Sequence, residues 1–202
     1  MNRRNFLKVG LAGSSLPILA GFGGHSLASI LSGWDDAELS LVISDARFSA
    51  PQRFAAAAER IGVRHLAIDG DVTRLWRQHL VPLWRKQPSI IAGMTARQPL
   101  FCLEQLGRDY DMRVVLRAEH MPQSDGTVSH QLNAPMNHAQ ALNELLGGQV
   151  DWEERMARYS SACSWNIARD RCIQTRISSP MTLSDQLEVP MVSWVMAPMR
   201  RV

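Results

Sequence analysis

Between residues 39 and 120, short apolar runs alternate with stretches of helical periodicity, and this alternation restricts the fold more than any other feature. LSLVISD (39–45), VRHLAID (63–69), SIIAGM (89–94) and MRVVLRAEH (112–120) read as strands, because each is a brief apolar run bounded by turn residues. FAAAAERIG, VTRLWRQHLVPLWRKQ and PLFCLEQLGRDY lie between them and carry apolar residues three and four apart, as helices with one buried face do. The second of these places Leu75, Trp76, His79, Leu80, Leu83 and Trp84 on one side, with a bend expected at Pro82. Strands that alternate with helices join through right-handed crossovers. The expected fold is therefore α/β, a single domain with a mainly parallel sheet of about 4–5 strands and helices on both faces.

Helix starts are marked as well. Ser49 with Gln52, and Thr95 with Gln98, have capping-box spacing. Beyond Met121 the rhythm breaks, and residues 122–188 read as a helical and loop-rich insertion. It contains a helix from His138 to Leu146 and another from Asp151 to about Ile167. VPMVSWVMAP (189–198) reads as a closing strand, placed at an edge because Pro190 cannot donate to a ladder.

The first 28 residues are of another kind. Arg3, Arg4 and Lys8 precede a weakly apolar stretch, Leu7 to Gly24, and Ser26-Leu27-Ala28 offers small residues for a signal peptidase. Asn2-Arg3-Arg4-Asn5-Phe6-Leu7-Lys8 resembles the twin-arginine (Tat) export signal, with Arg3, Arg4, Phe6, Leu7 and Lys8 in register and Asn2 where that pattern has Ser or Thr. The resemblance implies a chain that folds in the cytoplasm, meets the twin-arginine translocase and reaches the periplasm, touching the membrane only through this segment. Such cargo usually carries a cofactor or travels bound to a partner that does. Cleavage after Ala28 and retention as an anchor both stay open, so the organisation expected is a signal peptide at 1–28 and one domain at 29–202.

Charge and cysteine usage narrow the classes further. Lys and Arg number 22 against 19 Asp and Glu; three of the cations belong to the signal, so the body is balanced and carries no block suited to nucleic acid. Cys102 reads as a small core residue. Cys163 and Cys172 would stand about 13 Å apart along one continuous helix, and pair only if that helix ends between them. No dinucleotide fingerprint, phosphate loop, nucleophile elbow or haem motif occurs, and no His or Cys spacing matches a recurring metal site, so no cofactor is expected.

In an open parallel sheet the strand carboxyl ends collect ligand-binding groups. Here that rule gathers Asp45, Arg47, Asp71, Thr95, Glu119 and His120. Each also has a structural reading: Asp71 as a helix cap, Thr95 as part of its capping box, Asp45 and Arg47 as a mutual pair. Trp34 and Trp165 fit the core pattern least and are expected as contacts. Two functions follow. One is a noncatalytic accessory protein or small subunit that accompanies a redox enzyme of the cell envelope. The other is a small-ligand-binding module or small enzyme that uses the rim.

Overall fold

A computed structural model describes residues 39–163, 165, 172–181 and 189–199. The signal-like segment, with Arg3, Arg4, Phe6, Leu7 and Lys8, lies outside the described residues, as does Trp34.

Among the described residues the sheet has seven strands: β1 (Leu39–Asp45), β2 (His65–Ile68), β3 (Ile90–Thr95), β4 (Met112–Pro122), β5 (Thr127–Pro135), β6 (Cys172–Pro180) and β7 (Met191–Pro198), in the order β2-β1-β3-β7-β4-β5-β6. The first three are parallel; β7, β4, β5 and β6 add on antiparallel. The fold is α/β, but the expectation of a mainly parallel sheet of 4–5 strands is corrected to a mixed sheet of seven. Two strands fall within the stretch read as an insertion. Thr127–Pro135 turns Val128, His130, Leu132 and Ala134 inward and its other side outward, and Ile177 and Ser179 are buried in the same way on β6. The expected edge position of the last strand is corrected too. β7 lies in the centre, paired with β3 and β4, and Pro190 precedes its first residue, so the ladder loses no donor.

Alternation along the strands builds two cores. On one side Val42, Ile90, Ala92, Met94, Leu116, Ala118 and Val195 pack under α1 (Ser49–Arg60), α4 (Met136–Leu146) and α5 (Trp152–Ala162). On the other, Leu41, Ile43, Ile91, Val192, Trp194 and Met196 pack under α2 (73–86) and α3 (Arg97–Gly107). A strand buried on both faces reads as a continuous apolar run, and VSWVMA of β7 is one. β4 serves both cores by a bulge. Its register to β7 shifts between Val114 and Leu116, so Met112 faces the second core while Leu116 and Ala118 face the first, the reversal that one extra residue imposes on a two-residue period.

α2 is a composite of Thr73–Leu75, a π-helical turn at Trp76–Leu80 and Val81–Lys86. Val81 N–H donates to the Trp76 carbonyl, one residue further back than in an α-helix. Pro82 has no N–H for the Gln78 carbonyl and its ring crowds that turn. The wide turn beside it accommodates both. Trp76, Trp84 and Tyr110 pack as a three-ring cluster against this helix, with centroids 5.6–5.9 Å apart.

The expected caps form differently. α1 begins after Phe48 without a side-chain cap, and Gln52 Nε2 donates instead to the Ala46 carbonyl at 2.6 Å. α3 begins after Ala96, also uncapped, because Thr95 is the last residue of β3 and fully buried. Cys102 is exposed rather than core, Cys163 and Cys172 are free thiols, and Trp165 is only 2% exposed rather than a surface contact. No described helix is long and apolar enough to cross a membrane.

Candidate functional site

Asp45 ends β1 with its carboxylate sealed from solvent. Arg47, two residues on, folds back and grips it with both arms of the guanidinium: Nε donates to Oδ1 at 2.8 Å and the second nitrogen to Oδ2 at 2.7 Å. The same guanidinium lies over the Phe48 ring at 5.1 Å and passes close above Gly70. Hydrogen bonding to Asp45 holds Arg47 above its ordinary pKa, with Asp69 adding to the effect through its charge. A bidentate pair of this kind fixes direction as well as charge.

Asp71 sits beyond Gly70 and accepts the Thr73 backbone N–H at 2.8 Å. This bond, with that from the Thr73 hydroxyl, draws its carboxyl below the usual range. Asp71 thus braces the entry to α2 from one residue before the cap position; the N-cap itself is Val72, which makes no side-chain cap bond, so the capping role expected of Asp71 is corrected to a turn bond to Thr73. Asp71 also lines a hollow of about 680 Å³ between the beginning of α2 and α3, together with Thr73, Arg97, Gln98, Phe101 and Cys102. A second hollow of about 460 Å³ lies against β2 and is lined by Asp69, Asp71, Arg74 and His79 among others.

Thr95 and Glu119 occupy one row of the sheet, on either side of Val192. Thr95 Oγ1 donates to the Ala96 carbonyl at 2.9 Å and accepts the Trp194 indole N–H at 3.2 Å. Glu119 accepts from Arg97 at 2.5 Å, and about two turns further along α3 Glu104 accepts from Arg117 at 2.6 Å. These two pairs clamp α3 to β4. Asp45, Arg47, Asp71, Thr95 and Glu119 thus share the α2/α3 side of the rim.

His120 is apart from them. It points to the opposite face, is fully buried, and packs against Trp152 of α5 with ring centroids 4.3 Å apart and the planes tilted by 35°. Its Nδ1 meets Nδ1 of His130 at 2.6 Å, and its Nε2 contacts the Ser193 hydroxyl. His130 Nε2 reaches Ser179 Oγ at 2.9 Å, and that hydroxyl donates to the Leu146 carbonyl at 2.6 Å. Burial, and then the neighbouring His130, push His120 well below the ordinary histidine range; burial alone takes His130 down to about 4. Both rings are neutral at pH 7. From sequence, His130 stands with His120 and His138 in one third of the chain at no recurring metal-site spacing, and the rim rule does not gather it. What could have marked it is its in-register place opposite His120 once 127–135 is read as a strand.

Chemically, the rim is a set of matched charges around a half-apolar hollow, and the buried string is a polar seam inside the core. Among the described residues no group of three or more His, Cys, Asp or Glu side chains is placed to hold a metal ion. Comparison with protein-family models, with curated proteins and with solved structures finds no match for this chain.

Proposed function

We propose that this chain is a noncatalytic accessory protein, exported folded by the twin-arginine route to the periplasm, where it works as a small subunit beside a redox enzyme of the cell envelope. The export half rests on the run Arg3-Arg4-Asn5-Phe6-Leu7-Lys8. The noncatalytic half rests on one observation: the charged rim groups are taken up by one another, Asp45 with Arg47, Glu119 with Arg97 and Glu104 with Arg117. Pairs like these anchor a loop and a helix to the sheet, and a substrate would have to displace them. Mild purification of the tagged protein from the periplasm tests the reading. A redox enzyme that co-elutes at fixed stoichiometry is expected; a stable monomer with no such companion overturns it.

A second reading is favoured by the 680 Å³ hollow, in which Phe101, 62% exposed, stands beside Arg97, Gln98 and Asp71. An apolar ring beside a few polar groups is the composition of a small-ligand site. On this reading the protein binds a small molecule there, without His120. Native mass spectrometry of the periplasmic protein separates the two: a small molecule retained by the native protein and lost from Phe101→Ala supports the ligand reading, and an unchanged mass ends it.

A further inference from the structure

We infer that Ser193, His120, His130, Ser179 and the Leu146 carbonyl form one directed hydrogen-bond chain with every proton position fixed, and that this chain is an acid-operated latch holding α4 and α5 on the sheet.

The direction follows from its end. The Leu146 carbonyl only accepts, so the Ser179 hydroxyl proton is committed to it. Ser179 Oγ must then accept from His130 Nε2–H. A neutral imidazole has one N–H, so His130 Nδ1 carries a lone pair and accepts from His120 Nδ1–H. His120 Nε2 is left as an acceptor, and the Ser193 hydroxyl donates to it. Four protons serve four bonds. Both ring lone pairs are engaged and both ring N–H groups are given.

The same accounting shows what an added proton does. On His130 Nδ1 it faces the N–H of His120, so two donors point at one another. On His120 Nε2 it turns the Ser193 hydroxyl away. A second proton leaves two cations with nitrogens 2.6 Å apart in a site closed to water, where like charges repel strongly. The surroundings offer no relief. β7 contributes Ser193, β6 contributes Ser179, α4 contributes a carbonyl and α5 contributes the Trp152 ring, 4.3 and 5.1 Å from the two imidazoles. Glu153, next along α5, is turned to Arg53 of α1. Among the described residues no carboxylate faces either ring.

What the chain ties together sets what is released. The chain bonds Ser179 of β6 to Leu146, the last residue of α4, and Trp152, which begins α5, rests on its two imidazoles by ring contact alone. Protonation therefore loosens these elements first, while β1, β2 and β3, which share none of the chain, stay paired.

The full-length chain, labelled with nitrogen-15, tests this directly. Long-range proton–nitrogen spectra at pH 7.5 are expected to show His120 protonated at Nδ1 and His130 at Nε2; the reverse pattern, or two Nε2-protonated rings, overturns the chain. Amide exchange, corrected for its intrinsic pH dependence, is then followed to pH 4.5. Protection in 136–162 is expected to fall at least tenfold before that of β1 and β3 changes. Equal loss throughout, or no loss, overturns the latch. In a His120→Phe, His130→Leu double variant the selective loss should vanish, and its persistence counts against the histidines. If that variant fails to fold, the two measurements on the unaltered chain still decide.

Discussion

Gly93 of β3 and Trp194 of β7 stand directly opposite each other in the antiparallel ladder, and the indole fills the space that a side chain at 93 would need. A Cβ there would lie 2.5 Å from Trp194 Cζ2 and 2.6 Å from the Ile43 carbonyl oxygen of the neighbouring strand. The ring is itself fixed by its N–H bond to Thr95. Gly93→Ala should therefore cost about 2–3 kcal/mol, in the range of an overpacked core, read as a lower denaturant midpoint with an unchanged slope. Adding Trp194→Phe should recover part of the loss, since the two sites share one space. A loss below about 0.5 kcal/mol in the single variant would mean that the indole moves aside freely.

Gly70 presents the softer version of the same crowding. Its φ is +96°, and an added Cβ would meet the Arg47 guanidinium at 2.5–2.7 Å, the far end of a flexible side chain. Gly70→Ala is expected to cost about 1–2 kcal/mol, mostly as backbone strain, and to lift Arg47 from Asp45. In the background of Arg47→Ala the same substitution should cost less, because the steric part is gone. Equal costs in the two backgrounds would show that the guanidinium does not lie where Gly70 needs it.

Stability should fall with acid in a defined window. Both buried histidines have native pKa values below their ordinary 6.5, His130 at about 4. The unfolded chain binds protons at 6.5 and the native chain does not, so the native state has its full advantage above about pH 6.5. That advantage is lost as pH falls toward 4, at up to about 1.4 kcal/mol per pH unit for each histidine. Asp71, Asp125 and Asp151, all lowered from 3.8, lose their contributions only below that value. Urea midpoints at pH 7.5, 6.0 and 4.5 check this; a flat profile across them contradicts burial of neutral rings.

The export reading has its own variant. Arg3→Lys with Arg4→Lys keeps the charge and removes the planar donor fork of arginine. Precursor should accumulate in the cytoplasm, seen by fractionation and immunoblotting. Normal periplasmic yield would mean that the leader is read by another route and would remove the argument for folded cargo.

Particular residues show which parts of the fold could be read beforehand. β1, β3 and the first half of β4 announce themselves because strands covered on both faces are apolar throughout, as LVIS and IIAGM are. β5 and β6 are covered by described helices on one side only. Their inward sets, Val128-His130-Leu132-Ala134 and Ile177-Ser179, include His and Ser, so an alternation of period two passes for a polar loop. Topology places three of the rim residues together: Asp45 and Thr95 end β1 and β3, and Glu119, three residues before the end of β4, shares the row of Thr95 through Val192. His120 escaped that rule because strand position does not reveal which face a residue takes, and the bulge near Val115 reverses the parity expected from Met112. Thr95 matched a capping box by spacing, yet the ladder continues through it and the indole of Trp194 claims its hydroxyl.

The position of β7 bears on how the protein is made. It is the latest of the described strands in the chain and the only one of them that bridges the parallel strands to the antiparallel ones. A ribosome adds residues at about 5–20 per second, so the first three strands wait several seconds, with an unfilled edge on β3, before Met191–Pro198 arrives. Until then neither core is closed. Pairings so distant in sequence also form slowly once the chain is free. A nascent chain of this design has a strong claim on a chaperone during that interval, and on the proposed route it becomes fit for a translocase that carries folded cargo only after β7 has been inserted.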